Sequence, residues 1–99
     1  MDNQTRWKIE EEHDDNMRQL NQAEEMLDDY QREMNQTTSR LVDYVYGFYR
    51  ELDEPIPYSL SHPFEEVLEN YNFDLRKKRE EIEELRIKEQ QSFNEKMDL

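Results

Sequence analysis

All three prolines of this 99-residue sequence fall in one short stretch, and this restricts the fold more than any other feature. Pro55, Pro57 and Pro63 are close together, and no proline stands before or after them. Inside a helix, proline removes a backbone donor and clashes with the preceding turn. It also pushes the residue before it toward extended backbone. Since the sequence has only one glycine, turn signals are scarce elsewhere. We therefore predict a loop at about residues 53–61 with a long helix on each side.

The segment before the prolines carries a heptad pattern of apolar residues. Leu20, Leu27, Met34, Leu41 and Phe48 recur every seven residues, and Ala23, Tyr30, Thr37 and Tyr44 form a second series offset by three. This spacing indicates a helix with one apolar face. It predicts a helix from about residue 4 to about residue 52, capped by Asp2 or Asn3. Residues 35–39 are poor helix formers, and a break there would give three helices. The heptad keeps its phase across them and favours one.

The segment after the prolines repeats the pattern. Ser61 or His62 is a suitable cap and Pro63 would fall in the first turn, where proline is tolerated. We therefore predict a second helix at about residues 62–97. Two helices joined by one short loop form an antiparallel hairpin, so the predicted fold is all-α and a single domain over residues 1–99. We assign the seam between the helices to Leu20, Leu27, Tyr30, Met34, Leu68, Tyr71, Leu75, Ile82 and Leu85.

A hairpin of this size has one seam and no closed core, so burial is marginal. We expect the chain to complete its core with a partner protein or as a homodimer. The segment at residues 41–49 is apolar nearly all round its helix, which is typical of a surface that something covers. We assign partner binding to Leu41, Val42, Tyr44, Val45, Tyr46, Gly47, Phe48 and Tyr49. Tyr46 and Tyr49 would be the outward anchors. The alternative is that loop residues 56–60 fold back over these side chains, and both can hold for different residues.

Composition excludes several functions. The chain has 26 acidic and 13 basic residues, a formal net charge of −13, so it repels phosphate and direct nucleic-acid binding is not expected. It has no cysteine for a disulfide or a thiolate zinc site. No apolar run approaches the ~20 residues of a membrane-spanning helix. The N-terminus lacks the basic and apolar regions of a secretory signal. We therefore expect a cytoplasmic protein without membrane insertion, and we leave open whether it is exported together with a partner.

Candidate reactive groups are few. The Glu10-x-x-His13 spacing occurs in carboxylate-bridged di-iron bundles, which need it twice. This chain has it once, so we interpret the segment as a solvated acidic face. The basic run at residues 76–79 is followed by glutamates at helical spacing, which neutralise it. With no nucleophile elbow or phosphate-binding loop, we expect no catalytic site, no metal and no cofactor.

The acidic helical hairpin of about 100 residues, without cysteine or signal peptide, resembles the small WXG/Esx-like proteins. More narrowly, it is similar to the targeting proteins associated with LXG-domain toxins in Firmicutes. The resemblance is one of architecture: the Trp-x-Gly turn of that family is absent, since Trp7 is near the start and Gly47 lies in Tyr46-Gly47-Phe48. It implies an adaptor or chaperone that binds the helical LXG region of a toxin for type VII secretion. A second small helical protein could join that complex.

Two other functions fit the same composition. The net charge of −13 would suit an acidic mimic of nucleic acid that inhibits a basic protein. Its binding would collapse in salt, whereas an apolar interface would survive. An unfinished core would also suit a structural homodimer with no other partner. The partner and the stoichiometry decide between these functions, and the residues fix neither.

Overall fold

A computed structural model describes residues 1–98 as two α-helices that pack against each other as a hairpin. Helix α1 spans Asn3–Glu51 and helix α2 spans Tyr58–Lys96. The predicted all-α hairpin is confirmed, and α1 continues without a break through residues 35–39. Contacts in the hairpin cluster in two units. The loop unit is Asp28–Arg76, and the terminal unit is Met1–Leu27 together with the chain from Lys77 onward.

Asp2 caps the start of α1, as one of the two predicted caps. The Thr5 N–H donates to the Asp2 carboxylate over 2.6 Å, and the Asp2 carbonyl accepts the first helical hydrogen bond, from the Arg6 N–H. The hydrogen bonds from Thr5 lower the pKa of the Asp2 carboxyl, because the charged form accepts them better. The contribution of this cap is therefore present above the ordinary carboxyl pKa and is lost as the pH falls through the lowered value.

The end of α1 is closed by a left-handed residue. The N–H of Glu54 donates to the carbonyl of Tyr49, and the N–H of Asp53 donates to the carbonyl of Arg50, both over 3.1 Å. This pair of bonds is the Schellman motif. Asp53 occupies its left-handed position with a φ of 54°, where glycine is usual because other side chains are strained there.

Replacing Asp53 with glycine should raise the free energy of unfolding by about 0.5–1 kcal/mol, because it relieves that backbone strain. Urea denaturation followed by helical circular dichroism measures the change. Asp53→Asn is the matched control, since it removes the same charge from the C-terminal end of a helix but keeps a side chain. An equal gain in both variants would show that charge, and not backbone strain, limits this position.

Helix α2 begins earlier than the sequence suggested. It starts at Tyr58 and not near residue 62. The N–H groups of Leu60 and Ser61 donate to the carbonyl of Pro57 over 3.0 and 3.1 Å. The first turn is therefore built on Pro57, and the expected cap at Ser61 or His62 is wrong. The reason is that the position before a helix needs a carbonyl to accept the first helical hydrogen bonds but no N–H of its own, so proline can occupy it.

Pro63 consequently lies in the second turn of α2 and not in the first. Its missing N–H leaves the carbonyl of Ser59 without the backbone donor four residues on. The rings of Tyr58 and His62 stack with centroids 5.0 Å apart, a contact at helical spacing that supports this stretch. The helix therefore continues through Pro63 with one backbone hydrogen bond fewer than it could have.

The seam of the loop unit differs from a strict heptad. The half-buried side chains of α1 in this unit are Gln31, Met34, Thr38, Val42, Val45 and Tyr49, at spacings of three, four, four, three and four. The positions expected from the heptad were Tyr30, Leu41, Tyr44 and Phe48. These four are exposed, Tyr44 to 75%. The assignment of Tyr30 to the seam is therefore wrong, and the heptad positions Leu41, Tyr44 and Phe48 do not lie in the seam. An α-helix drifts by ~20° per heptad from a seven-residue repeat, and the second step of four corrects the drift.

Helix α2 supplies the other side of that seam. Phe64, Leu68 and Tyr71 are half-buried, and Leu75 is 7% exposed. The hydroxyl of Tyr71 also donates to the carbonyl of Tyr30 over 3.1 Å. The loop unit is therefore held by a mixed row of half-buried side chains on α1, an apolar row on α2 and this hydrogen bond across them.

In the terminal unit the seam contains a polar cluster. Ile82 is 8% exposed, but Leu85, which the sequence placed beside it, is 51% exposed and that assignment is wrong. Arg86 is half-buried instead. It donates to the Glu24 carboxylate over 2.6 Å and to the Asn21 side chain over 2.8 Å. The hydrogen bond with Glu24 raises the pKa of the Arg86 guanidinium. The long side chain of arginine can bury its aliphatic part while its charged group still finds partners. Hydropathy alone therefore favoured Leu85 over Arg86 as the seam residue.

Candidate protein-binding surface

An apolar groove lies in the loop unit among α1, α2 and the loop that joins them, with a volume of about 320 Å³. Helix α1 contributes four of the residues to which partner binding was assigned: Leu41, Val42, Val45 and Tyr46. Residues from Ile56 onward form the remaining lining: Ile56, Leu60, Ser61, Phe64, Glu65 and Leu68. The sequence therefore located one wall of the groove.

The loop covers the assigned surface only in part. Ile56 is half-buried against the groove, as the alternative of a folded-back loop predicted. Tyr58 and Leu60 remain exposed. Loop cover and an open surface thus hold for different residues. Ile56 and Leu60 were not assigned to partner binding. Both are apolar residues that stand between two prolines in the sequence, and this pattern could have indicated that they line the groove.

A second apolar feature adjoins the groove. Leu41, Tyr44, Phe48 and Leu52 are exposed. Their spacing of three, four and four places the first three on one side of α1, and Leu52 continues the row directly after the helix ends. We call these four residues the α1 stripe. Leu41 belongs to both the stripe and the groove lining, so the two form one contact surface. Tyr49 is half-buried and its ring meets Phe48 edge-on, so its assignment as an outward anchor is wrong.

Gly47 lies on α1 within this surface. A methyl group added at its Cα would meet no atom within 4 Å, so packing within the chain does not require glycine there. Its backbone has no positive φ, so the helix does not require it either. Glycine in a helix costs about 1 kcal/mol relative to alanine, and nothing within residues 1–98 repays this cost. The close approach of a partner's backbone to Gly47 would offset the cost, because a larger side chain would prevent that approach.

Gly47→Ala should therefore raise the free energy of unfolding by about 0.5–1 kcal/mol. The same change should weaken any complex in which a second backbone packs against this position. Thermal unfolding of the isolated chain measures the change in stability, and titration with a partner protein measures the change in affinity. A variant that is more stable and binds as well as the original would show that no partner backbone approaches Gly47.

The surface is acidic at its border. Glu65 is the one charged residue that lines the groove, and among residues 1–98 no ion pair is seen for it. The loop unit as a whole contains eleven acidic and four basic residues, a formal charge of −7. A ligand of this groove therefore meets apolar side chains within a negative potential.

Other kinds of site find little support in the described chain. Within residues 1–98, no group of three or more His, Asp or Glu side chains is arranged to hold a metal ion. The sequence suggested that His13 belongs to a solvated acidic face, but its side chain is half-buried. Its Nδ1 lies 3.1 Å from Oε1 of Glu89, and its ring stacks on Phe93 at 4.1 Å. Seam packing thus accounts for this histidine.

Neither described helix has a stretch both long enough and apolar enough to cross a membrane. Comparison with known proteins gave no match to any family model, curated protein or solved structure. The apolar contact surface of the loop unit is therefore the feature from which function has to be argued.

Proposed function

We propose that this chain is a non-catalytic adaptor that binds a helical segment of another protein through its contact surface. The observation that carries the proposal is the continuity of the groove with the exposed α1 stripe at Leu41. Contiguous exposed apolar patches mark interaction sites in soluble proteins. A groove bordered by two helices suits the mode in which an amphipathic helix lays its apolar face between them.

Incomplete burial supports the same conclusion. Among the described residues only two apolar side chains are buried, Leu75 and Ile82, and neither is completely enclosed. Many large apolar side chains are exposed instead, among them Tyr44 at 75%, Val67 at 62% and Trp7 at 61%. A hairpin that leaves so much apolar surface in water gains stability when a partner covers it.

The partner to test first is the helical LXG region of a toxin, which the resemblance to targeting proteins implies. In that setting the chain would hold the toxin in a form competent for type VII secretion. The contact surface supports binding of a helical partner in general, and the identity of that partner is part of the proposal.

Capture from native cells with two matched variants tests the proposal. Leu41→Asp places a charge at the residue shared by the groove and the stripe. Leu85→Asp makes the same change at a residue of similar exposure in the terminal unit. Circular dichroism first establishes that both variants remain helical. After a high-salt wash, we expect the original chain and Leu85→Asp to retain a helical partner, and Leu41→Asp to lose at least about tenfold of it, since a buried unpaired charge costs well over 1.4 kcal/mol.

Three outcomes would contradict the proposal. Equal capture by both variants would place the binding site elsewhere. Capture of basic proteins at low salt only would favour the acidic mimic. A bait that recovers only itself, and that sediments as a dimer, would favour the homodimer.

A further inference from the structure

We propose that the helix bound in this groove is basic: a row of large apolar residues bordered by lysine or arginine, one of which pairs with Glu65. This inference rests on the proposed function and specifies the chemistry of the partner. The groove sets the apolar part of the requirement. Its α2 wall presents Leu60, Phe64 and Leu68 at successive spacings of four, and a helix packed along such a wall needs apolar anchors at spacings of three and four.

Charge sets the second part of the requirement. The lining is apolar except for Ser61 and Glu65, and the latter has no ion pair among residues 1–98. A basic residue at the edge of the bound helix would reach this carboxylate while its apolar neighbours enter the groove. An acidic residue at the same edge would meet both Glu65 and the −7 charge of the loop unit, and like charges brought together at an interface are unfavourable.

A second copy of the chain is a poor occupant for the same reason. Each copy carries a charge of −13. At least six of its thirteen basic residues already pair with carboxylates of their own chain: Arg6, Arg18, Arg32, Arg86, Lys88 and Lys96. Self-association would therefore bring together two surfaces with an excess of negative charge, which repel each other. A partner that supplies its own positive charge avoids this repulsion.

Two synthetic peptides of about 20 residues, long enough for several helical turns, test the inference. They share leucine anchors at spacings of three and four and differ only in carrying lysine or glutamate at all other positions. Fluorescence anisotropy measures their binding to the intact chain at ~0.15 M and ~0.5 M salt, which screen exposed charges to different degrees. We expect the lysine peptide to bind at least about tenfold more tightly, and to keep measurable affinity at the higher salt because apolar contacts are not screened.

Substitutions on the chain locate the binding. Glu65→Gln should weaken the lysine peptide by about two- to fivefold, as expected for an exposed ion pair. Glu66→Gln is its matched control, since it removes the same charge from the next residue, outside the groove lining, and should change the affinity less than twofold. Leu41→Gln should weaken binding by about tenfold through lost apolar contact, whereas Leu85→Gln should not.

The outcomes separate the inference from the proposed function. If both peptides bind equally and both depend on Leu41, the adaptor role stands and the basic partner is wrong. If the lysine peptide binds without dependence on Leu41 and is released by salt, the attraction is non-specific and both proposals fail. If the chain alone sediments as a dimer that Leu41→Gln dissociates, a second copy occupies the groove and the inference is overturned.

Discussion

Ile82→Ala should lower the free energy of unfolding by about 2–4 kcal/mol, the usual effect of deleting buried methylene groups and leaving a cavity. Ile82 is 8% exposed, and only Leu75 is as deeply buried in the described chain. Small domains are stable by about 5–15 kcal/mol in total, so this single change removes a large fraction of the stability. Urea denaturation followed by helical circular dichroism measures it.

The control for this prediction is Leu85→Ala. The two residues lie one turn apart on α2, but Leu85 is mostly exposed. We expect its truncation to change the free energy of unfolding by less than about 0.5 kcal/mol, as is usual for surface substitutions. Equal losses at the two positions would mean that the face of α2 turned toward α1 has been misassigned.

Pro63→Ala should raise the free energy of unfolding by about 2 kcal/mol. Proline inside a helix costs about 3 kcal/mol relative to alanine, and part of the gain is lost because the unfolded alanine chain has more freedom. The new N–H can donate to the carbonyl of Ser59, which has no donor at that position now. Besides denaturation, hydrogen exchange checks the prediction directly, since the amide of residue 63 should be protected.

Pro55→Ala is the comparison for that change. Pro55 lies in the loop, outside both helices, so its replacement restores no helical hydrogen bond. Only the effect on the unfolded chain remains, and we expect a loss of about 0.4–1 kcal/mol. A gain in both variants, or an unprotected amide at residue 63, would show that the hydrogen bond to Ser59 is not formed.

The helical hairpin could be predicted because its signals are local. Clustered prolines fix the position of the loop, and apolar spacing identifies the helices on either side. The start of α2 was less accessible, since Pro57 acts as a cap through its carbonyl and Pro63 is accepted inside the helix. Both depend on backbone geometry, which residue type alone does not specify.

The candidate site was located by its apolar composition but not resolved into faces. A strict heptad places Leu41 and Tyr44 inside and Val42 and Val45 outside. In the structure Leu41 and Tyr44 are exposed and Val42 and Val45 are half-buried, because the phase shifts after Thr38. Sequence spacing cannot show where such a shift occurs, since residues 41–49 offer apolar side chains to nearly every direction. Arg86 was missed for a different reason: two of its hydrogen-bonding partners, Glu24 and Asn21, lie on the other helix.

The hydrogen bonds that join the two helices also set an order of folding. The Tyr71–Tyr30 bond closes a loop of 41 residues, Arg86–Glu24 closes 62, and His13–Glu89 closes 76. Since the entropy lost on closure grows with loop length, we expect the contacts between the helices to form first near the loop and then progressively toward the chain ends. Folding rates should then respond more to Leu68→Ala than to Ile82→Ala. The groove would be formed as soon as residue 68 is in place, before the far ends of the hairpin meet.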